Sequence, residues 1–303
     1  DHRRALPVGH QECPVIGGPA TGIANPRSCY HCTMMSNDVP RRPTALFLSH
    51  GGGPLPLLGD PAHDEMVQSL RSLAANTERP AAIIVVSAHW EERAATITSA
   101  ASPGIIYDYY GFPPESYEIE YPAPGNPDLA SRLRACLQDS GITAALDGDR
   151  GFDHGLFIPL KIMYPEADIP CVQLSLLGSL DPAEHIALGE ALSDIGGDRA
   201  LVIGSGFSFH NMKAFFGSGA GRPDERNEAF ERWLIDTCSD GGLDEAERTR
   251  RLLAWEDAPH ARYCHPREEH LLPLHVCYGI VKRPAEAVIE LSILDKKASF
   301  FVW

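Results

Sequence analysis

A chain of 303 residues with 41 Asp and Glu against 26 Lys and Arg, a formal charge of −15, repels phosphate backbones and anionic lipid, which argues against nucleic-acid and membrane-surface partners. No apolar run approaches the ~20 residues that span a bilayer, and the length suffices for one large core. Eight scattered cysteines in a chain of this size read as small hydrophobes in a reducing cytoplasm, not as a disulfide framework.

Residues 1–43 lack periodicity and read as an N-terminal extension, of which 1–33 are expected to be a leader dispensable for chemistry, with Met34 and Met35 resembling an ordinary protein start. Cys29, His31 and Cys32 with Cys13 have part of a zinc-knuckle spacing, but its second half is poorly defined. The domain proper spans 44–303. A strand over 44–49 runs into His50 and three glycines, which lack the spacing of a phosphate loop. A helix over 60–76 places Met66, Leu70 and Leu73 on one face. The run 81–90 is a strand buried on both faces, and it ends at His89-Trp90. Residues 105–125 form a loop rich in tyrosine and proline, suited to walling an aromatic ligand.

Helices follow over 126–140 and from Gly151-Phe152-Asp153-His154-Gly155 to Met163, then a strand over 167–176. An amphipathic helix over 182–195 carries His185 as an expected surface residue. The strand 200–204 leads through Gly206 to His210-Asn211. Helices over 225–238 and 243–255 are charged and expected to be peripheral. The chain closes with strands over 287–294 and 299–303, an antiparallel pair at a sheet edge. This alternation predicts an α/β fold, a single domain whose mainly parallel central sheet is flanked by helices.

Three buried strands that each discharge into a histidine suggest one shared site, because open α/β sheets bind ligands beyond their strand C-termini. Thirteen histidines are a rich supply, and converging imidazoles suit Zn²⁺ or Fe²⁺ better than Ca²⁺ or Mg²⁺. The chain has no His-Glu-x-x-His and no Gly-x-Ser-x-Gly, and Gly204-Ser205-Gly206 has the wrong spacing for a nucleophile elbow.

Ser49-His50-Gly51-Gly52, Ser87-Ala88-His89-Trp90, Gly111-Phe112-Pro113, Tyr121-Pro122-Ala123-Pro124-Gly125, Phe152-Asp153-His154-Gly155, Met163 to Pro170, His210-Asn211 and His270-Leu271-Leu272-Pro273-Leu274-His275 together resemble the class III extradiol ring-cleaving dioxygenases, the LigB-like superfamily. The DOPA 4,5-dioxygenase-like branch is the most similar. The resemblance covers about 43–303. It implies His50, His89 and His270 as metal ligands, with Glu269 a fallback, His210 as the acid/base histidine and His154 as a second catalytic histidine. His265 and His275 are expected to be supporting or structural.

The implied cofactor is Fe(II), with Zn(II) possible in the same site. The implied partners are a small catechol and O₂, and the product a ring-opened semialdehyde acid. Imidazole titrates near neutrality, which suits His210 to accept a catechol proton and return it. Tyr121, Asn211 and Lys213 are candidates for substrate binding, with Phe112 beside them, Lys213 as the partner of a substrate carboxylate. Two alternatives stay open: a zinc hydrolase using the same three histidines, and a binding protein of the same fold without enzymatic activity.

Overall fold

The computed structural model describes residues 44–216 and 223–303. The 1–43 extension and its Cys13, Cys29, His31 and Cys32 cluster lie outside the described residues. Strands β1 (Ala45–Ser49), β2 (Ala82–Glu92), β3 (Ala95–Thr98), β4 (Ala144–Asp147), β5 (Cys171–Leu177), β6 (Ala200–Gly206), β7 (Ala287–Ile293) and β8 (Lys296–Val302) form one sheet in the order β4-β3-β5-β2-β6-β1-β8-β7. The centre is parallel: β6 lies between β1 and β2, and β5 follows β2. β8 joins β1 antiparallel and carries β7 on the outer edge, as the terminal pair predicted. β3 and β4 were not anticipated. At four residues each they are too short for alternation to register.

The helices are α1 (Asp64–Asn76), α2 (Pro127–Asp139), α3 (His154–Met163), α4 (Pro182–Glu190), α5 (Met212–Phe216), α6 (Glu225–Ser239), α7 (Glu245–Leu253), α8 (Ala261–Cys264) and α9 (Leu272–Val281). None is long and apolar enough to cross a membrane among the described residues. The period of two along β2 divides the core. Ile83 and Val85 pack with Met66, Leu70 and Leu73 of α1 and with α3, whereas Ile84 and Val86 pack with α2, α4 and α9. α9 is apolar all round and buried nearly throughout, so it lacks the amphipathic stripe by which a helix is recognised in sequence.

His185 is buried, not on the surface. Its Nδ1 faces the Asp181 carbonyl at 2.7 Å, and Nε2 accepts from the Leu177 backbone at 3.1 Å, so the ring ties the start of α4 to the end of β5. Burial holds its pKa below the ordinary histidine value, against the opposing pull of the Asp181 carbonyl. The charge-rich α6 and α7 are likewise less peripheral than their composition implied. Arg248 is fully buried, donating to the carbonyls of Asp240 at 2.8 Å and Leu243 at 3.1 Å. Cys171 and Cys277 are free and buried, and burial pushes both thiols up to about 12.

Glu231 of α6 is also buried, accepting from Ser299 Oγ at 2.7 Å, and burial pushes its carboxyl up to about 7. The folded chain then keeps a proton that the unfolded chain releases near pH 4.5, so folding is penalised progressively as pH rises from there to about 7. Glu231→Gln is therefore expected to stabilise the protein at pH 8 by on the order of 2–3 kcal/mol and to change little at pH 4. Denaturant unfolding at the two pH values checks this; equal effects at both would rule it out.

Candidate active site

His50 follows β1, His89 lies near the end of β2, His210 stands four residues beyond β6, and His270 precedes α9. Because β6 separates β1 from β2, His50 and His89 straddle it. The β2–β5 register shifts between Val86 and Glu91, a strand irregularity of the kind that re-aims side chains beside active sites. His270 reaches the same place because β6 ends in glycine. Its carbonyl accepts the Phe207 N–H at 2.9 Å, and a Cβ at Gly206 would sit 2.1 Å from that carbonyl oxygen. No larger residue permits this approach.

His50, His89 and His270 each bring one ligand atom within 4.8 Å of the others. Nε2 of His50 and Nε2 of His89 are 2.9 Å apart. The outward nitrogens fix the tautomers. Ser205 Oγ donates to the Gly155 carbonyl, which can only accept, so the same oxygen accepts from His50 Nδ1 at 3.1 Å. His270 Nδ1 donates to Glu269 Oε1 at 2.9 Å. Both rings therefore carry a lone pair on Nε2, the form a metal requires. Burial, reinforced by the neighbouring imidazoles, holds His50 and His270 well below the ordinary histidine pKa. Burial does the same for His89, with His154 adding to it and Asp108 opposing. This donor set of neutral imidazoles fits a divalent metal ion.

His210 stacks on His270 with ring centroids 3.5 Å apart and planes at 13°, and its Nδ1 is 3.5 Å from Glu269 Oε1. His154 lies 3.9 Å from His89 and 5.1 Å from His50 between ring centroids. The structure thus gathers all five histidines singled out in the sequence. Glu269 is placed on the Nδ1 side of His210 and His270. Burial would raise its carboxyl, but His210 and Arg267 hold it below the usual range.

The family model for the catalytic LigB subunit of aromatic ring-opening dioxygenase matches residues 44–294. The chain belongs to this family of extradiol ring-opening dioxygenases. Dioxygenase tasH of Hapsidospora irregularis is 40% identical over 285 residues, 86% of this chain and 87% of that protein. A 4,5-DOPA dioxygenase extradiol of Escherichia coli K12 is 36% identical, with 78% and 85% covered, and one of Beta vulgaris is 35% identical, with 80% and 88% covered. The crystal structure of an uncharacterized E. coli K12 protein matches with a TM-score of 0.69 at 31% identity, over 86% of this chain and 98% of that one.

The remaining candidate residues of this LigB-family enzyme fall differently. Tyr121 is 1% exposed and donates its hydroxyl to the Tyr164 carbonyl at 3.2 Å, so it packs in the core with its one proton already engaged. Asn211 donates to the Tyr263 carbonyl at 2.6 Å and accepts from the backbone of Lys213 and Ala214. It caps α5, and with the bond from His210 N to the Cys264 carbonyl it sets the position of His210. Lys213 is exposed on α5. Phe112 packs at the glycine turn after His50, its ring 3.2 Å from where a Cβ on Gly53 would lie. His265 and His275 are buried and bonded to backbone carbonyls, Ser208 and Leu252 respectively.

Three further residues carry no signal in the sequence. His63 accepts from Gly52 N at 2.9 Å while Asp60 holds its other nitrogen at 2.6 Å, which pins the turn after His50. Asp108 bonds His154, and Ser205 bonds His50. Ser205→Ala is expected to lower metal affinity by about 10–100-fold, because His50 loses the acceptor that sets its tautomer. A chelator-competition titration measures it, and an unchanged affinity would exclude the role.

Proposed function

We propose that this protein is a non-haem Fe(II) enzyme that opens the ring of a small catechol with O₂ to give a semialdehyde acid, residues 44–303 forming its catalytic domain. The carrying observation is the convergence of three neutral imidazoles, of which His50 and His270 have their opposite nitrogens hydrogen-bonded. His50, His89 and His270 would hold the metal. The 2.9 Å between Nε2 of His50 and Nε2 of His89 brings two of these nitrogens close enough to share one ion. Bound there, ferrous iron supplies a Lewis acid for the catechol oxygens and an electron path to O₂.

The protein's own groups do the rest. His210, partly exposed beside His270, accepts a catechol proton and later returns it. His154 adjoins the ligand rings on the other side, where it meets substrate or an oxygen-derived group. The ordered aromatic loop excludes water: Tyr107 and Tyr109 spend their hydroxyls on the carbonyls of Ile119 and Ser116 and offer ring surface. Lys213 is the proposed partner of a substrate carboxylate. The test is oxygen uptake with an absorbance scan after anaerobic Fe(II) loading, across a panel of catechols that includes L-DOPA. Stoichiometric uptake with a new yellow chromophore is expected. Silence from verified iron-loaded protein, with ester or amide hydrolysis after zinc loading, would replace this reading.

A further inference from the structure

Asp108 reaches His154 twice through one oxygen. Its Oδ1 accepts the His154 backbone N–H at 3.0 Å and faces the ring Nδ1 at 2.8 Å, while Oδ2 stands 3.9 Å from Nδ1 of His89. His154 opens α3, and Asp153 before it occupies the position from which an acidic side chain ordinarily caps a helix, yet makes no such bond. Asp153 is turned away and buried, accepting from Ser87 at 2.9 Å, Arg150 at 3.1 Å and Gln173. The cap comes instead from a residue 46 positions earlier, on the aromatic loop.

That loop is held rigidly. Tyr109, next to Asp108, packs its ring 5.7 Å from His154 and 5.5 Å from both Phe112 and Tyr117. An ionised carboxylate can only accept, so a ring nitrogen 2.8 Å from it must donate. We propose that Asp108 is a positioning residue that fixes His154 in the Nδ1–H tautomer, leaving Nε2 as the acceptor, and latches the aromatic loop onto the start of α3. The inference rests on the reading of His154 as a group that meets substrate. Its consequence is directional: with Nδ1 holding its proton against Asp108, Nε2 is the nitrogen that faces the reaction, an acceptor when bare and a donor only once it has taken a proton.

Histidine ¹⁵N NMR on metal-free protein, with His154→Ala to assign the signals, tests the tautomer without turnover. The wild type is expected to show His154 protonated on Nδ1, and Asp108→Ala to lose that preference. In iron-loaded protein Asp108→Ala is expected to lower kcat by about 10²-fold or more with KM nearly unchanged, and to cost nothing further in a His154→Ala background. Where the alanine variant does not fold, Asp108→Asn serves in the opposite sense: its amide oxygen can accept from both the backbone and the ring as Oδ1 does, so the Nδ1–H tautomer is expected to persist, and its loss would overturn the proposal. An Nε2–H tautomer in the wild type would overturn the proposal, as would equal losses from Asp108→Ala with and without His154. If no catechol is consumed but the tautomer is as stated, the positioning role stands and the functional reading fails.

Discussion

His50→Ala protein, loaded anaerobically with Fe(II) and freed of loose metal, is expected to retain less than about a tenth of the wild-type iron and to show no oxygen uptake above background. The substitution removes one of the three proposed donors, and its cost should exceed the ~10–100-fold in affinity that accompanies loss of a partner hydrogen-bonded to a ligand. His50 lies beyond β1, and the ordering of the sheet rests on the apolar strand residues around it, so the chain should still fold. Thermal unfolding separates the two effects. Metal binds the native state and raises the midpoint of the wild type, and that increment should vanish in the variant while the metal-free midpoints agree. A variant that keeps stoichiometric iron would remove His50 from the ligand set and turn attention to the neighbouring groupings of His89, Asp108 and His154 or His210, Glu269 and His270.

His50, His89 and His210 are legible because each follows a strongly patterned strand, and His154 because it opens an apolar helix, whereas His270 precedes α9, which has no amphipathic stripe, and is reached only through the family resemblance. A run such as Ile83 to Val86 can only be an interior strand, and the residues just beyond it are carried to the sheet's C-terminal edge. The groups that give those histidines their chemistry are not legible. Ser205 is 155 residues from His50 and Asp108 is 46 from His154, and neither local periodicity nor spacing carries a pairing made only by topology. Glu269 is visible beside His270 and looks like a spare ligand, since adjacency in sequence does not say toward which ring nitrogen a carboxylate points. The same limit explains His185 and Tyr121. A histidine in an amphipathic helix and a tyrosine in a loop look exposed until the backbone carbonyls of Asp181 and Tyr164 are seen to engage them.

For His210→Ala the expectation is full iron occupancy, KM within a few-fold of wild type and kcat lower by about 10²–10⁴-fold, the range for a removed proton-transfer group. Occupancy should hold because His210 stacks on His270 without bonding its Nε2, and His270 keeps its own bond to Glu269. A general loss of packing would also lower kcat, so the deciding comparison is between substrates. A nitro-substituted catechol already ionised at neutral pH has less need of a proton acceptor, and the deficit of His210→Ala should shrink on it relative to an unsubstituted catechol. An equal deficit on both would mean that His210 orients the ring or the oxygen without taking the proton, and would leave the acceptor nitrogen of His154 as the base.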